Sequence, residues 1–373
     1  MEKTEILTTD AQLRKLAGEL AAEAVIAVDL EADSMHNYRE KVCLIQVSTP
    51  HRTVLIDPLA VTDLGPLQPV LADPAIRKIF HAADYDLRSL RRDFGLSVHG
   101  LFDTMISAQL LGEERIGLAD LLRKYFNVEL DKKFQRADWS QRPLSAEMVR
   151  YAAEDTCHLH RLVELFEERL QALGRMSWGL EEFALMEDVS FAENGGPLCL
   201  RFKGAGTLPR RELGVLEQLL QWREGEGERL NRPVYKVLGN KPLLELAQRK
   251  PQGPEDMQGI EGLSARLLER YGASLLAAVQ KGLDTPEAEL PKFPRLPRRV
   301  KDPRFEDRVK ALKKWRQEAA LAYAIEPGVL INNAAIEALA ELQPRTLDDL
   351  NQVAGLKNWQ KEEFGARLLS ALS

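Results

Sequence analysis

Cysteine is nearly absent from this chain of 373 residues: Cys43, Cys157 and Cys199 are odd in number and far apart. They cannot supply a disulfide framework or a Cys-x-x-Cys zinc site. Long apolar runs are missing too, and nothing approaches the roughly 18 consecutive apolar residues of a membrane span. The opening Met1-Glu2-Lys3-Thr4-Glu5 lacks the basic start and apolar stretch of a secretory signal. These absences lead to the expectation of a reduced, cytoplasmic protein with no membrane partner. Excess positive charge is also lacking: the net charge is −6, so the chain as a whole has no field to attract a polyanion.

What is present is unevenly distributed. Residues 1–195 carry 22 Lys/Arg against 33 Asp/Glu, whereas residues 196–373 carry 29 against 24. The stretch 291–316 holds eleven basic and three acidic side chains. An acidic half joined to a basic half suits a metal site coupled to a polyanion-attracting surface, although a solvated linker and helix face would look the same. At roughly 100–200 residues per domain, the length suggests two or three domains.

The amino-terminal half reads as strands followed by helices. Ala24-Val25-Ile26-Ala27-Val28 is a candidate buried strand ending at Asp29, with Val42–Val47, Thr53–Ile56 and Lys78–Phe80 as further strands. The segments 104–112, 117–126, 145–155 and 158–172 have helical apolar spacing. The pattern predicts a mixed sheet with helices packed around it. The second half contains a repeat at a constant offset of 93 residues, which superposes Trp222-Arg223 on Trp315-Arg316, Asn240 on Asn333, Pro251 on Pro344, Asp256 on Asp349 and Gly262-Leu263 on Gly355-Leu356. Each copy reads as a small helical unit. Between them, prolines 286, 291, 294, 297 and 303 oppose regular structure and read as a stiff tether.

Several acids could share one chemistry. Asp29 and Glu31 sit at a strand end, where alternation points both side chains the same way. Two adjacent carboxylates repel unless a cation lies between them, so a divalent metal is the natural third party; a solvated surface turn is the alternative. Asp86 opens an amphipathic helix and could be either a ligand or a helix cap. Tyr151 and Asp155 lie four apart on one helical face, a spacing that suits a phenol beside a metal-held water and equally a half-buried tyrosine beside a surface acid. His81 reads as a strand-end hydrogen bonder or a catalytic group, and Asp103 as a cap for the helix that follows it. His158 lies on the face of Asp155, but neither it nor His160 is expected to be a ligand.

Taken together, Asp-Leu-Glu at 29–31, His81-Ala82-x-x-x-Asp86-Leu87 and Tyr151-Ala152-Ala153-x-Asp155 resemble the three motifs of the DEDDy 3′→5′ exonucleases. Tyr38-Arg39, Cys43-Leu44-Ile45-Gln46, Phe102-Asp103-Thr104, Leu130-Asp131-Lys132 and Asp138-Trp139-Ser140-Gln141-Arg142-Pro143-Leu144 resemble the ribonuclease D family. The two repeats resemble HRDC domains, with Tyr235-Lys236-Val237-Leu238-Gly239-Asn240 the most typical stretch. Two departures stand out. The first motif has Leu30 where many bacterial members have threonine, and the second repeat has Ile325-Glu326-Pro327-Gly328-Val329 where the first has Arg232-Pro233-Val234-Tyr235-Lys236.

The resemblance implies an α/β exonuclease domain, a ribonuclease H-like mixed sheet flanked by helices, followed by two all-α HRDC domains. The implied boundaries are 1–195 for the exonuclease domain, 207–284 for the first HRDC domain, 285–304 for the Pro-rich linker and 305–373 for a degenerate second HRDC domain. It implies that Asp29, Glu31, Asp86 and Asp155 hold two divalent ions, Mg²⁺ or Mn²⁺, with Tyr151 completing the catalytic set. Expected substrate contacts are Leu30, Ala32, His36, Tyr38 and Lys133, together with Arg232, Tyr235, Lys236 and Lys241 of the first repeat. The implied activity is release of nucleoside 5′-monophosphates from RNA 3′ ends by a monomer, with transfer-RNA precursors as the expected substrates. A DNA-directed exonuclease and a non-catalytic nucleic-acid adapter are the competing functions.

Overall fold

The structure, a computed structural model, describes residues 4–191, 195–294 and 302–372. They form two compact units that do not follow chain order: one comprises 4–32, 42–191 and 302–372, the other 33–41 and 195–294.

The first unit is built on six strands: β1 (Glu5–Leu7), β2 (Val25–Ala32), β3 (Val42–Ser48), β4 (Thr53–Ile56), β5 (Arg77–Phe80) and β6 (Leu101–Asp103). Their spatial order is β1-β4-β3-β2-β5-β6. β3 runs antiparallel to both β2 and β4, while β1–β4, β2–β5 and β5–β6 are parallel pairs. Around them lie α1 (Asp10–Leu20), α2 (Gln68–Ala72), α3 (Asp84–Phe94), α4 (Thr104–Leu110), α5 (Leu118–Phe126), α6 (Ala146–Cys157), α7 (Leu159–Ala172) and α8 (Met176–Glu187). The mixed sheet expected from the sequence is therefore present. One difference matters for the site: β2 does not stop at Asp29 but continues through Ala32, because β3 pairs Gln46 with Asp29 and Leu44 with Glu31 before the register shifts. Every residue of β3 is buried, as expected for a strand covered on both faces.

The second unit holds the first repeat, as α9 (Arg210–Leu230), α10 (Val234–Val237), α11 (Asn240–Arg249) and α12 (Ala265–Asp284). Its core contains Leu216, Leu219, Leu243, Leu246, Leu275 and Val279. The loop 33–41 belongs to this unit. Tyr38 donates its hydroxyl to Glu224 at 3.0 Å and its backbone N–H to Asn231 Oδ1 at 3.2 Å, while Arg39 pairs with Glu228 at 2.6 Å.

The second repeat forms α13 (Phe305–Tyr323), α14 (Pro327–Leu330), α15 (Asn333–Leu342) and α16 (Asn358–Leu372). The two copies agree down to individual hydrogen bonds. Arg223 donates to the Leu238 carbonyl and to Asn240 Oδ1 at 3.1 and 2.7 Å; Arg316 donates to the Ile331 carbonyl and Asn333 Oδ1 at 2.8 and 3.1 Å. Asp256 accepts from the N–H groups of Gln252 and Gly253, and Asp349 from those of Arg345 and Thr346.

The sequence reading set 305–373 apart behind a tether, but here this copy shares one apolar core with the sheet unit. Trp359 stacks on Trp178 with ring centroids 4.5 Å apart. Arg175 bridges the carbonyls of Leu110 and Tyr323, both at 2.7 Å. Glu181 caps α16 by accepting from the N–H groups of Asn358 and Trp359 at 2.7 and 2.8 Å. Gly112 has φ of +76°, and a Cβ there would collide with the Ala324 carbonyl, so glycine permits this close approach. Of the basic stretch 291–316, residues 295–301, with Arg295, Arg298, Arg299 and Lys301, lie outside the described residues.

Candidate active site

Strand alternation places Asp29 and Glu31 on the same face of β2. The same face of β3 presents Leu44, Gln46 and Ser48, whose register is fixed by the pairs Glu31–Leu44, Asp29–Gln46 and Ala27–Ser48. This face is covered by α6, whose Thr156 hydroxyl lies 2.6 Å from that of Ser48. The helix starts where Ser145 caps the N–H of Met148, and its position presents Tyr151 and Asp155 to the two strand acids. Carboxylate oxygens of Asp29, Glu31 and Asp155 lie within 4.8 Å of one another.

Asp86, in the first turn of α3, is not among those three, but its charge acts on Glu31 and that of Asp29 acts on it. The turn before that helix includes Ala82 at φ of +65°, an uncommon conformation for a residue with a Cβ. Asp103 holds the turn by accepting from the N–H groups of Ala82 and Ala83 at 3.2 and 2.7 Å, while also capping α4 through Met105 and Ile106 at 2.7 and 3.1 Å. The capping role read for Asp103 is thus present, and it extends to locking the approach of Asp86. His81 Nδ1 lies 2.9 Å from the Thr104 hydroxyl, at the end of β5.

Electrostatics follow from crowding acids in a buried place. Burial pushes Asp29 up to about 7. Glu31 rises to about 10 through burial first, then through the charges of Asp29, Asp155 and Asp86. Burial and the Asp29 charge take Asp155 to about 8, and Asp86 is raised for the same reasons. Tyr151 is shifted upward by burial and by the neighbouring carboxylates. Near neutral pH the cluster therefore retains protons that isolated acids would have lost, unless a cation compensates the charge. An all-oxygen set of this kind fits hard divalent ions such as Mg²⁺ or Mn²⁺.

Asp29, His81, Tyr151 and Asp155 line a cavity of about 320 Å³ with Leu118, Leu130, Lys132 and Gln135. Phe134 and Trp139 pack on the Tyr151 ring at 5.8 and 6.0 Å between centroids. Arg142 ties down the loop carrying Trp139, with a bidentate pair to Asp57 at 2.6 and 2.7 Å and donation to the Cys43 carbonyl at 2.6 Å. Among the cavity residues, the sequence reading quoted Lys132 only within the Leu130-Asp131-Lys132 motif and did not name Gln135; as a substrate contact it chose the adjacent Lys133, which is exposed and pairs with Glu147 at 2.8 Å.

The other expected substrate contacts are distributed differently. Leu30 and Ala32 lie on β2 beside the acids. His36, Tyr38, Arg232, Tyr235, Lys236 and Lys241 all belong to the second unit. There Tyr38 is engaged with Glu224, Lys236 donates to the Met35 carbonyl, and Lys241 pairs with Glu261. Tyr235 leaves half its surface open to solvent. His158 and His160 lie at the junction of α6 and α7, and neither falls in the acidic cluster.

Fold and sequence together define a 3′→5′ exonuclease joined to HRDC modules. The family model described as 3′-5′ exonuclease matches residues 4–171, and the HRDC domain model matches 212–279 and 305–372. Ribonuclease D of Granulibacter bethesdensis is 30% identical over 369 residues, covering 98% of this chain and 91% of that protein. Ribonuclease D of Gluconacetobacter diazotrophicus is 31% identical over 370 residues, covering 98% and 92%. The crystal structure of Escherichia coli RNase D, described as an exoribonuclease involved in structured RNA processing, aligns with a TM-score of 0.75 at 27% identity and covers 99% of this chain and 98% of that one. The chain belongs to the ribonuclease D family, and its enzyme class is 3′→5′ exoribonuclease. No helix among the described residues is long and apolar enough to cross a membrane.

Proposed function

We propose that this enzyme shortens RNA from its 3′ end one nucleotide at a time, with Asp29, Glu31, Asp86 and Asp155 holding two divalent ions and Tyr151 ordering the attacking water. The observation that carries this reading is the convergence of three carboxylates within 4.8 Å on a cavity that Tyr151 also lines. When bound, the ions supply charge neutralisation at the scissile phosphate and a lowered pKa for water. The protein's own contribution is to fix the acids on the rigid β2 strand and the α6 helix, so that little reorganisation is needed as charge develops. Tyr151 keeps its proton tightly because burial and nearby carboxylates raise its pKa. Bound ions would offset that carboxylate charge, so Tyr151 would orient the water or, with their help, deprotonate it. Water oxygen joins phosphorus, the bond from phosphorus to the 3′ oxygen breaks, and that oxygen leaves as a hydroxyl. The product is a nucleoside 5′-monophosphate.

The domain assignment that goes with this reading is an exonuclease module over 1–195, HRDC modules over 207–284 and 305–373, and a Pro-rich connection over 285–304. The substrate assignment is transfer-RNA precursors, handled by a cytoplasmic monomer, with Arg232, Tyr235, Lys236 and Lys241 contributing phosphate and base contacts. The test uses matched 3′-tailed RNA and DNA oligonucleotides with Mg²⁺ or Mn²⁺, products being resolved by length. A ladder of single-nucleotide losses from RNA, abolished by Asp29→Asn with the far-UV spectrum unchanged, is the expected outcome. Equal or faster digestion of DNA would overturn the substrate assignment, and an active Asp29→Asn protein would overturn the site.

A further inference from the structure

Gln46 is the most unusual polar residue near the acids. It is fully buried in the middle of β3, and neither its Nε2 nor its Oε1 has a hydrogen-bond partner among the described residues. Two unsatisfied amide atoms in a buried layer carry a desolvation cost that apolar side chains avoid. Its surroundings suggest why it is there. Gln46 is the direct cross-strand partner of Asp29, and directly opposed residues of an antiparallel pair project to the same face with Cβ atoms about 4.5–5.5 Å apart.

That face is the one beneath α6. Ser48, two residues further along β3, touches Thr156 of that helix, and Leu44, two residues before, packs with Tyr151 and Ala152. On the other side, Gln46 pairs with Leu55, which belongs to the same cluster. The carboxamide is thus held between the strand carrying Asp29 and the helix carrying Tyr151 and Asp155. Trp139, in that cluster as well, has a buried indole N–H without a partner.

We propose that Gln46 is a positioning residue: its carboxamide N–H₂ donates to Asp29 when that carboxylate is engaged with a divalent ion, fixing the rotamer in which Asp29 serves as ligand. Outer partners that orient a ligating carboxylate in this way are worth about 10–100-fold in metal affinity. This inference rests on the metal-site reading above.

The test compares Gln46→Leu and Gln46→Met, both close in volume to glutamine, with Asp29→Asn in the full chain. Mn²⁺ is titrated calorimetrically into RNA-free protein, melting is followed in EDTA, and kcat and KM are measured on a single-stranded RNA. Both Gln46 variants are expected to bind Mn²⁺ about tenfold or more weakly and to melt in EDTA no lower than the parent. They should lose kcat with KM unchanged. Unchanged Mn²⁺ affinity in both variants, with Asp29→Asn impaired, overturns the role of Gln46 and leaves the metal site standing. Unchanged affinity in Asp29→Asn as well overturns the metal site itself. If both Gln46 variants instead lose EDTA melting temperature together with affinity, Gln46 is only a packing residue and the inference fails.

Discussion

Replacing Trp178 by alanine tests whether the carboxy-terminal repeat is part of the nuclease core. Trp178 is 5% exposed, stacks on Trp359, and packs against Tyr323 and Phe364 at 5.9 Å between centroids. An indole buries roughly 150–250 Å², which at about 25 cal/mol per Å² amounts to ~4–6 kcal/mol. Partial collapse of the cavity brings this into the range of about 3–5 kcal/mol seen for Trp→Ala in cores. For a unit of this size, 1 kcal/mol moves the melting temperature by roughly 2–4 °C, so a fall on the order of 10 °C is expected in a near-ultraviolet circular dichroism melt. If α13–α16 were merely tethered, Trp178 would be a surface residue and the change would stay within about 0.5 kcal/mol. A drop below about 2 °C would refute the shared core. The reasoning also changes how the repeats are best probed, because cutting the chain near residue 200 removes Trp359 and Phe364 from that core and confounds binding with stability.

Tyr151→Phe removes only the hydroxyl and should slow hydrolysis by roughly 10²–10⁴-fold, with Mn²⁺ affinity nearly unchanged in a calorimetric titration. The metal-free protein should lose stability as pH rises. Asp29 and Asp155 hold protons up to about 7 and 8, whereas the unfolded chain releases them near pH 4. Between these limits the native state binds more protons, so the unfolding free energy decreases with increasing pH. Denaturant melts in EDTA at pH 5 and pH 8 should show that fall, and saturating Mg²⁺ should reduce it. Changing Arg232 and Lys241 together to glutamine should lower the slope of log affinity against log salt by about 1–2 for structured RNA while leaving kcat on a short saturating strand intact.

Asp29, Glu31 and Asp155, which the structure brings together, could be picked out in the sequence because each lies in a short motif with a fixed local spacing. The repeat was legible because Trp, Pro and Gly recur in register at positions with fixed backbone roles, such as the left-handed turn at Gly262 and Gly355. Partner choice was not. Periodicity marks the apolar face of α13 or α16 but says nothing of what covers it, and Trp178 and Trp359 meet across a long stretch of chain. His36 and Tyr38 were expected to contact substrate, but the membership of their loop 33–41 in the helical unit depends on Glu224, Glu228 and Asn231, a long way off in sequence. Strands of three residues such as β1 and β6 are too short to show alternation. Lys78 reads as a polar strand position, yet it is buried and donates to the carbonyls of Asp73 and Ile76, both at 2.5 Å.

The two helical copies amount to an internal control written into one chain. Where they agree, as in the Arg223 and Arg316 hydrogen bonds to the following turn, the shared residue marks what the module needs in order to fold. Where they differ, the difference marks what each copy does besides folding. The position occupied by Trp359 in the second copy holds Arg266 in the first, and there the side chain is exposed to solvent. A buried tryptophan packed on Trp178 and a solvent-exposed arginine are thus two states of one site. Arg266→Trp should leave the first copy folded, because position 266 is exposed, whereas Trp359→Arg should lower the melting temperature, because Trp359 is buried in the core shared with Trp178.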